Sequence, residues 1–175
     1  MDSYMEYMIK QKKSAGTIVR SIALMFAALL MSFVLTFVFF FIIPQAISIL
    51  PILVLACFYL AYRITASFDV EFEYILTNGE LDIDRITHKK RRKRLLTVHS
   101  KTFIAFAKVG SGEYSEEENS EFSNIIYASA NSSSYDDYFA VFYVNGQKIK
   151  LIFNPTKKMI DTFRIYAPRI VKDVN

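Results

Sequence analysis

The feature that most constrains this chain is a run of 42 residues, Ser21–Tyr62, that contains no charged side chain. One helix that crosses the hydrocarbon core of a bilayer needs about 20 apolar residues, so the run is long enough for two helices. Pro44 lies near its middle, and a proline ends or kinks a helix because it lacks an amide hydrogen. The sequence therefore predicts a transmembrane helical hairpin over residues 21–63, with helices at about 21–43 and 46–63.

Basic residues flank this run on both sides, while its predicted connecting loop carries no charge. Four basic residues precede the first predicted helix, and Arg63 follows the second. Lys and Arg are retained on the cytoplasmic side of membrane proteins, so we expect a multi-pass protein of the cell membrane with both termini in the cytoplasm. A cleaved signal peptide does not fit, because the run is too long and lacks a small-residue cleavage site at its end.

The N-terminal segment, residues 1–20, mixes apolar side chains such as Tyr4 and Met8 with several lysines. This composition fits a cytoplasmic helix that lies at the membrane surface and leads into the first span. It fits a frayed polar terminus equally well, and the sequence leaves both alternatives open.

The averaged composition describes neither part of the chain. Hydrophobic residues make up 53% and charged residues 22%, and nearly all of the charge lies in residues 64–175. This apolar content excludes a disordered chain, and the single cysteine, Cys57, excludes a disulfide scaffold. Cys57 with two histidines supplies too few ligands for a zinc site of the usual kind.

Residues 64–175 are predicted to form a cytoplasmic domain made mainly of strands. Apolar and acidic side chains alternate on both sides of Asn78-Gly79, a pattern typical of two half-buried strands joined by a tight hairpin turn. A two-residue turn sets Leu76 opposite Leu81 and places Tyr74 opposite Ile83, so all four share one face. Similar patterns predict further strands at about 94–98, 102–109, 124–130, 137–144 and 147–153.

The C-terminal part of the domain is predicted to be a second hairpin followed by a helix. Another Asn-Gly pair at 145–146 sets Phe142 opposite Ile149. Asn154-Pro155 then has the residues of a helix N-cap and first turn, and apolar residues recur at helical spacing as far as Pro168. The domain is thus predicted to be an antiparallel meander of seven strands closed by one helix.

Seven antiparallel strands and a closing helix form the plan of the pleckstrin-homology-like (PH-like) fold. Residues 74–84, YILTNGELDID, resemble the opening hairpin of bacterial PH-like domains, and residues 152–168 resemble their final strand and helix. The resemblance covers roughly residues 68–171, and the whole layout resembles a family of small bacterial proteins with two membrane spans. It implies an α+β protein in which a transmembrane hairpin precedes a seven-stranded PH-like barrel, and it implies no catalytic residue.

Six consecutive basic residues form the most conspicuous motif of the domain: Lys89, Lys90, Arg91, Arg92, Lys93 and Arg94. From Arg63 onward the chain has 17 basic and 15 acidic residues, so without these six the acidic residues are in excess. If the first strand leaves the membrane and the second returns, the basic run lies near the membrane surface. There an anionic lipid attracts each Lys or Arg by about 1 kcal/mol.

Three explanations of the basic run stay open. It could contact lipid head groups, or it could pair across the sheet with the acidic face of the first hairpin, which carries Glu71, Glu73, Glu80, Asp82 and Asp84. Nucleic acid is disfavoured, because a short run without interleaved aromatic residues gives only nonspecific attraction to phosphate. A meander would also place the acidic loop 110–121 on the same rim, where it would compete with lipid for the basic run.

We find none of the sequence motifs of a nucleophile elbow, a phosphate-binding loop, a dinucleotide-binding loop or a zincin. His88 and His99 flank the basic run without an evident partner in the sequence. We therefore expect no catalytic residue, no metal and no cofactor. The sequence favours a noncatalytic, membrane-anchored PH-like adaptor that binds anionic lipid head groups or a protein partner at the cytoplasmic leaflet. The alternative is an accessory subunit of a larger membrane complex, whose Phe-rich spans pack on other helices.

Overall fold

The computed structural model describes residues 4–130 and 137–172, and the chain divides into two compact units. One unit is the helical segment Lys13–Asp69. The other combines Met1–Lys12 with Val70–Asn175. The helical segment is therefore inserted into the strand unit after its first strand, whereas the sequence suggested that the helices precede the whole strand domain.

The helical unit is a hairpin of two helices, α1 (Ala15–Phe41) and α2 (Leu50–Ala66), with a 3₁₀ helix at Pro44–Ile49 between them. The sequence predicted the helices at about 21–43 and 46–63. The difference at the start of α1 arises because Ser14 caps it, the Ser14 hydroxyl accepting a hydrogen bond from the amide of Thr17. The predicted break around Pro44 is present, and the second helix begins only after the 3₁₀ turn.

Both arms of the hairpin are long and apolar enough to cross a membrane. The candidate spans are Ala15–Phe41, with 27 residues, and Pro44–Ala66, with 23 residues. Only 6% of the most apolar stretch of each span is buried inside the protein. The buried positions of the two helices are all small residues: Ala28 and Ser32 of α1, and Ala61 and Ala66 of α2. Helices that are apolar on all sides and so little buried fit a lipid environment.

The first sheet of the strand unit has four antiparallel strands in the order β1 (Tyr4–Lys10), β2 (Val70–Thr77), β3 (Glu80–Thr87) and β4 (Arg91–His99). The predicted hairpin register is confirmed, because Leu76 pairs with Leu81 and Tyr74 pairs with Ile83. All four of these side chains are fully buried. They form one side of the main core.

Strand β1 replaces the interfacial helix or frayed terminus that the sequence suggested for the N-terminal segment. It pairs with β2 along its whole length, from Tyr4 opposite Thr77 to Lys10 opposite Glu71. The alternation that marks a strand is weak here, because Tyr4 and Met8 are exposed apolar residues on the same edge strand. Its partner strand also lies beyond the helical hairpin, so no local turn signal announces the pairing.

The second sheet contains β5 (Ala105–Lys108), β6 (Asn124–Ala128), β7 (Tyr138–Val144) and β8 (Gln147–Phe153), in the order β5-β7-β8-β6. The predicted pairing of Phe142 with Ile149 is confirmed. Strand β6, however, runs parallel to β8. It can do so because the long excursion after β5 carries the chain across the sheet before β6 begins.

The predicted fold is therefore confirmed as α+β with two apolar helices and a C-terminal helix, but the predicted barrel is wrong. The described strands number eight, they form two four-stranded sheets, and no closed barrel results. Strand β1 supplies the eighth strand, and the parallel β6–β8 pair breaks the meander. The two sheets bury one apolar core between them, to which the C-terminal helix contributes Met159 and Phe163.

Two further helices belong to this unit, the single turn α3 (Ser115–Glu118) and the C-terminal helix α4 (Lys157–Tyr166). The N-cap of α4 is Thr156, whose hydroxyl accepts a hydrogen bond from the amide of Met159, and the predicted N-cap Asn154 is wrong. Asn154 is used elsewhere: its side chain accepts a hydrogen bond from the amide of Ala130 and donates one to Asp137.

Candidate functional site

The basic run is divided between a tight turn and the start of β4. Strand β3 ends at Thr87, and the amide of Lys90 donates a hydrogen bond to the Thr87 carbonyl at 3.2 Å. His88 and Lys89 between them both have a φ of +54°. Two positive φ values in a row are the signature of a type I′ hairpin turn, which usually selects Asn-Gly. Here two larger side chains hold that strained conformation, and the turn projects Lys89 and Lys90 from the end of the sheet.

A β-bulge in β4 decides which face each basic side chain occupies. Ile83 of β3 pairs with Leu96, but the next residue, Asp84, pairs with Arg94, so Leu95 is an extra residue. Without it, Arg94 would lie opposite Arg85. The bulge instead turns Arg94 toward the acidic outer face of the sheet, because a shift of one residue reverses the face of every following side chain.

Two of the six basic residues form ion pairs on that outer face. The Nη2 atom of Arg92 lies 2.6 Å from Oε2 of Glu73, which is 1% exposed. Arg94 bonds through Nε to Asp84, which is 3% exposed, and its Nη1 lies 2.8 Å from Oδ1 of Asp82. Such pairing across the strands was one of the explanations that the sequence left open.

The pKa values of Glu73 and Arg94 depend on their neighbours in this ion-pair network. Burial raises the pKa of Glu73, and its hydrogen bond with Glu6 of β1 raises it further, while the charge of Arg92 lowers it. The hydrogen bond from Arg94 to Asp84 raises the pKa of Arg94, so its charge is secure. Because removing one partner leaves a buried charge uncompensated, we assign Arg92 and Arg94 a structural role.

The remaining four residues of the run lack the ion pairs that these two form. Together with Arg85 they form what we call the exposed basic cluster: Arg85, Lys89, Lys90, Arg91 and Lys93. All five side chains are exposed, and none forms an ion pair or a side-chain hydrogen bond within residues 4–130 and 137–172. The β3–β4 register sets Arg85 directly opposite Lys93. Like charges in this position repel and destabilise the strand pair, and a bound anion would relieve the repulsion.

Arg85 was missed in the sequence because it lies before the turn, at the end of an acidic strand and apart from the basic run along the chain. The pairing of β3 with β4 places it among the basic residues, opposite Lys93. Without the extra residue Leu95 it would lie opposite Arg94, so the bulge decides which basic residue it faces. The sequence does not reveal the bulge, since Arg94, Leu95 and Leu96 resemble the ordinary start of a buried strand.

The exposed basic cluster lies at the end of the sheet where the chain leaves for the helical unit. Lys10 pairs with Glu71, and Val70 pairs with Thr87, next to the turn. The amide of Gln11 also donates to the Val70 carbonyl at 3.0 Å. The two chain connections to α1 and α2 therefore start from this same end of the sheet.

The described contacts of the acidic loop 110–121 are with other parts of the domain than the basic run. The ammonium of Lys150 donates to the Glu118 carbonyl at 2.7 Å, and Lys148 donates to Ser120, also at 2.7 Å. Tyr114 bonds to the carbonyl of Ile170, near the C-terminal end of the described chain. None of the ion pairs in the described ranges joins this loop to the basic run, so the idea of a competing loop gains no support.

The described side chains give little sign of catalytic or metal chemistry. Across the described ranges, no group of three or more His, Cys, Asp or Glu side chains is arranged to hold a metal ion. The acidic residues Asp82 and Asp84, which alternate on β3, face Arg94 instead. His99 accepts a hydrogen bond from the amide of Lys101 and packs its ring against Tyr166.

Comparison with known families agrees with this architecture. A family model described as a bacterial PH-like domain matches residues 1–173. The chain belongs to this family. The match begins before β1, includes both apolar helices and extends beyond α4, so the bacterial PH-like family covers the inserted hairpin together with the strand unit. No curated protein and no solved structure matches the chain.

Membership confirms the resemblance that the first hairpin and the final helix show in the sequence. A bacterial PH-like domain that carries two candidate membrane spans fits a membrane-associated, noncatalytic role. The exposed basic cluster is a highly charged surface, and none of its five residues has an ion-pair partner among the described residues of this domain.

Proposed function

We propose that this bacterial PH-like protein is a noncatalytic adaptor of the cell membrane, and that its exposed basic cluster binds anionic lipid head groups at the cytoplasmic leaflet. One observation carries the proposal. Arg85 and Lys93 face each other across two strands, and the surrounding cations have no acidic partner in the part of the chain that the structure describes. A head-group phosphate supplies the missing negative charge.

The pairing of β1 with β2 supports the membrane topology of this proposal. These strands precede and follow the helical hairpin, and they lie side by side in one sheet. A hairpin that crosses a bilayer twice returns to the side from which it started, which agrees with this pairing. The lysines before α1 and Arg63 in α2 favour the cytoplasm as that side, so the proposal has both termini in the cytoplasm.

The connection between α2 and β2 is short, which supports a basic cluster that can reach the bilayer. Only residues 67–69 separate Ala66 from Val70. A chain advances at most about 3.5 Å per residue, so this link spans about 14 Å when fully extended. Val70 pairs with Thr87, immediately before the turn that carries Lys89 and Lys90. A link of this length lets the cations approach an anionic leaflet, whose attraction acts within about 8–10 Å at physiological salt.

The chemistry of the cluster suits a phosphate diester. Arg85 and Arg91 offer planar guanidinium groups that bind two phosphate oxygens at once, and the three lysines act as mobile point charges. At about 1 kcal/mol per cation, three lysines contribute about 3 kcal/mol, or roughly a hundredfold in affinity. This selects negatively charged lipids without demanding a particular head group.

Lipid retention by the purified full chain tests this proposal. In a neutral detergent, native mass spectrometry should show that the protein retains phosphatidylglycerol in preference to phosphatidylcholine. The triple variant Lys89→Gln, Lys90→Gln, Lys93→Gln should lose this preference by at least tenfold, and by about a hundredfold if the three charges add. An excess of glycerol phosphate should displace phosphatidylglycerol if the cluster binds free phosphate. It should not displace phosphatidylglycerol if the cluster binds the lipid.

The matched control is Lys157→Gln with Lys158→Gln, which removes exposed lysines from the start of α4 and should leave lipid retention unchanged. Equal retention of the two lipids by the wild-type chain would contradict the proposal. So would an unchanged preference in the triple variant.

The second candidate is an accessory subunit of a larger membrane complex, and α1 provides the observation in its favour. A concave apolar surface of about 650 Å³ lies on this helix, lined by Phe33, Val34, Thr36, Phe37, Phe40 and Phe41. Another helix or lipid chains would fill it. A partner that co-purifies in fixed stoichiometry in mild detergent would favour the subunit role.

A further inference from the structure

A groove of about 510 Å³ lies between the edge strand β1 and the start of α4. Its walls come from two short stretches of chain: Met5, Glu6 and Tyr7 on β1, and Thr156, Lys157, Lys158 and Met159 at the start of α4. Strand β1 is an edge strand of the first sheet, and among the described residues no strand of the second sheet pairs with it. The groove therefore lies beside a strand that has a strand partner on one side only.

The wall formed by β1 is an unprotected strand edge. One side of β1 pairs with β2, and the hydrogen bonds described beyond that ladder come only from Gln11 and Lys12, after the strand ends. Proteins normally protect such an edge with a proline, a bulge or several charges, because free N–H and C=O groups attract another strand. β1 has no proline, keeps its pairing with β2 regular throughout, and carries two charged residues, Glu6 and Lys10.

The floor of the groove is apolar. Met159 is fully buried in the core, and Met5 is half-buried and packs against the same core. The ring of Tyr7, which is 38% exposed, lies against buried Tyr74 with 6.1 Å between centroids. Apolar side chains of an added strand would pack on the exposed parts of Met5 and Tyr7.

The wall formed by α4 is electrostatically unusual. Its first turn contains Lys157 and Lys158 and no acidic residue. The positive end of the helix dipole favours acidic side chains in this turn, so two lysines are unfavourable. Both are exposed, and neither forms an ion pair within the described ranges. The one acidic residue of the groove, Glu6, accepts a hydrogen bond from the Tyr4 hydroxyl at 2.9 Å.

We propose that this groove binds an extended acidic segment of a partner protein, which adds to β1 as a further strand and sets its carboxylates against Lys157 and Lys158. The free edge of β1 supplies backbone hydrogen bonds, and the apolar floor and the two lysines select the side chains. This site is separate from the exposed basic cluster and does not depend on the lipid-binding proposal.

Peptide binding to the purified full chain in detergent tests the inference. The probes are two libraries of ten-residue peptides in which Val or Ile alternates with a charged position, Asp or Glu in one library and Lys or Arg in the other. Members of the acidic library should bind, and members of the basic library should not. The variant Lys157→Glu with Lys158→Glu should weaken binding at least tenfold without weakening α4, because acidic residues are favoured in its first turn.

The matched control is Lys89→Glu with Lys90→Glu, which makes the same charge change in the exposed basic cluster. It should leave peptide binding unchanged while it reduces retention of phosphatidylglycerol, so the two proposals fail independently. If both double variants weaken peptide binding equally, the attraction is only net charge, and the groove proposal is overturned.

Strand addition itself has a specific signature. Methylating alternate peptide nitrogens blocks only one edge of a strand, so one phase of methylation should abolish binding and the other should preserve it. Equal effects of the two phases would overturn strand addition. The groove could instead serve self-association through β1. Two results together would show this: crosslinks between Tyr7→Cys of two copies, and no peptide binding by the wild-type chain.

Discussion

At the scale of single residues, Gly79 shows how closely the first hairpin is fitted to the C-terminal helix. Its φ is +86°, and a Cβ atom there would lie 2.6 Å from the ring of Tyr166 and 3.0 Å from His99. Gly79→Ala must therefore adopt a left-handed conformation and also displace the Tyr166 ring. We expect a loss of about 2–3 kcal/mol in the free energy of unfolding, measured by denaturant titration of the full chain in detergent.

Gly146, in the turn between β7 and β8, provides the control for that measurement. Its φ is +78°, but nothing lies within 4 Å of an added Cβ atom. Gly146→Ala should therefore cost only the backbone strain, about 1 kcal/mol. Equal losses in the two variants would contradict the packing of the hairpin turn against Tyr166.

A second residue-scale prediction concerns the pH dependence that Glu73 confers. Glu6 of β1, Asp84 of β3 and Arg92 of β4 face this carboxyl, and burial with the Glu6 hydrogen bond raises its pKa above the ordinary value of 4.5. Between the two pKa values the folded state binds more protons than the unfolded state. The free energy of unfolding should therefore fall as the pH rises from about 4.5 through the raised pKa.

Comparing the wild-type chain with Glu73→Gln isolates this contribution. The variant cannot titrate at position 73, so its stability should change less between pH 4.5 and pH 8 than that of the wild-type chain. Parallel pH profiles for the two proteins would show that the Glu73 carboxyl keeps its ordinary pKa.

At the scale of elements, the sequence was sufficient where pairing is local. The hairpins around Asn78-Gly79 and Asn145-Gly146 form in the predicted register, because the turn residues and the alternation of the flanking strands specify the same pairing. Strand β1 could not be predicted from the sequence, because its partner β2 follows the helical hairpin in the chain. The parallel β6–β8 pair was missed for the same reason: nothing in the residues near Asn124–Ala128 encodes a strand that pairs out of sequence order.

The basic run illustrates the same limit within one strand. Its six residues are obvious in the sequence, but their division into a structural pair and an exposed set depends on one extra residue, Leu95. The acidic side chains that form ion pairs with Arg92 and Arg94 lie on the hairpin face that the sequence identifies as acidic. Which two of the six would reach that face depends on the bulge, and so does the opposition of Arg85 and Lys93.

At the scale of the whole molecule, the helical hairpin is inserted between β1 and β2 of the strand unit. Strand β1 is synthesised first, but β2 becomes available only after both apolar helices have left the ribosome. Once the two strands pair, the ends of the hairpin are held side by side by the sheet, with Gln11 bonded to Val70. If the two candidate spans cross a membrane, as we propose, this pairing requires both connections to emerge on one face of it.

Cysteine accessibility in intact cells tests this topology. The background is Cys57→Ser, which removes the free thiol of the chain. Gln45→Cys, in the link between the candidate spans, should react with a membrane-impermeant maleimide added outside. Met8→Cys on β1 and Lys89→Cys in the turn should react only after the cells are opened. If Met8→Cys and Lys89→Cys label from opposite sides, the β1–β2 pairing is wrong, whereas labelling of both from outside would reverse the orientation and separate the basic cluster from the cytoplasmic leaflet.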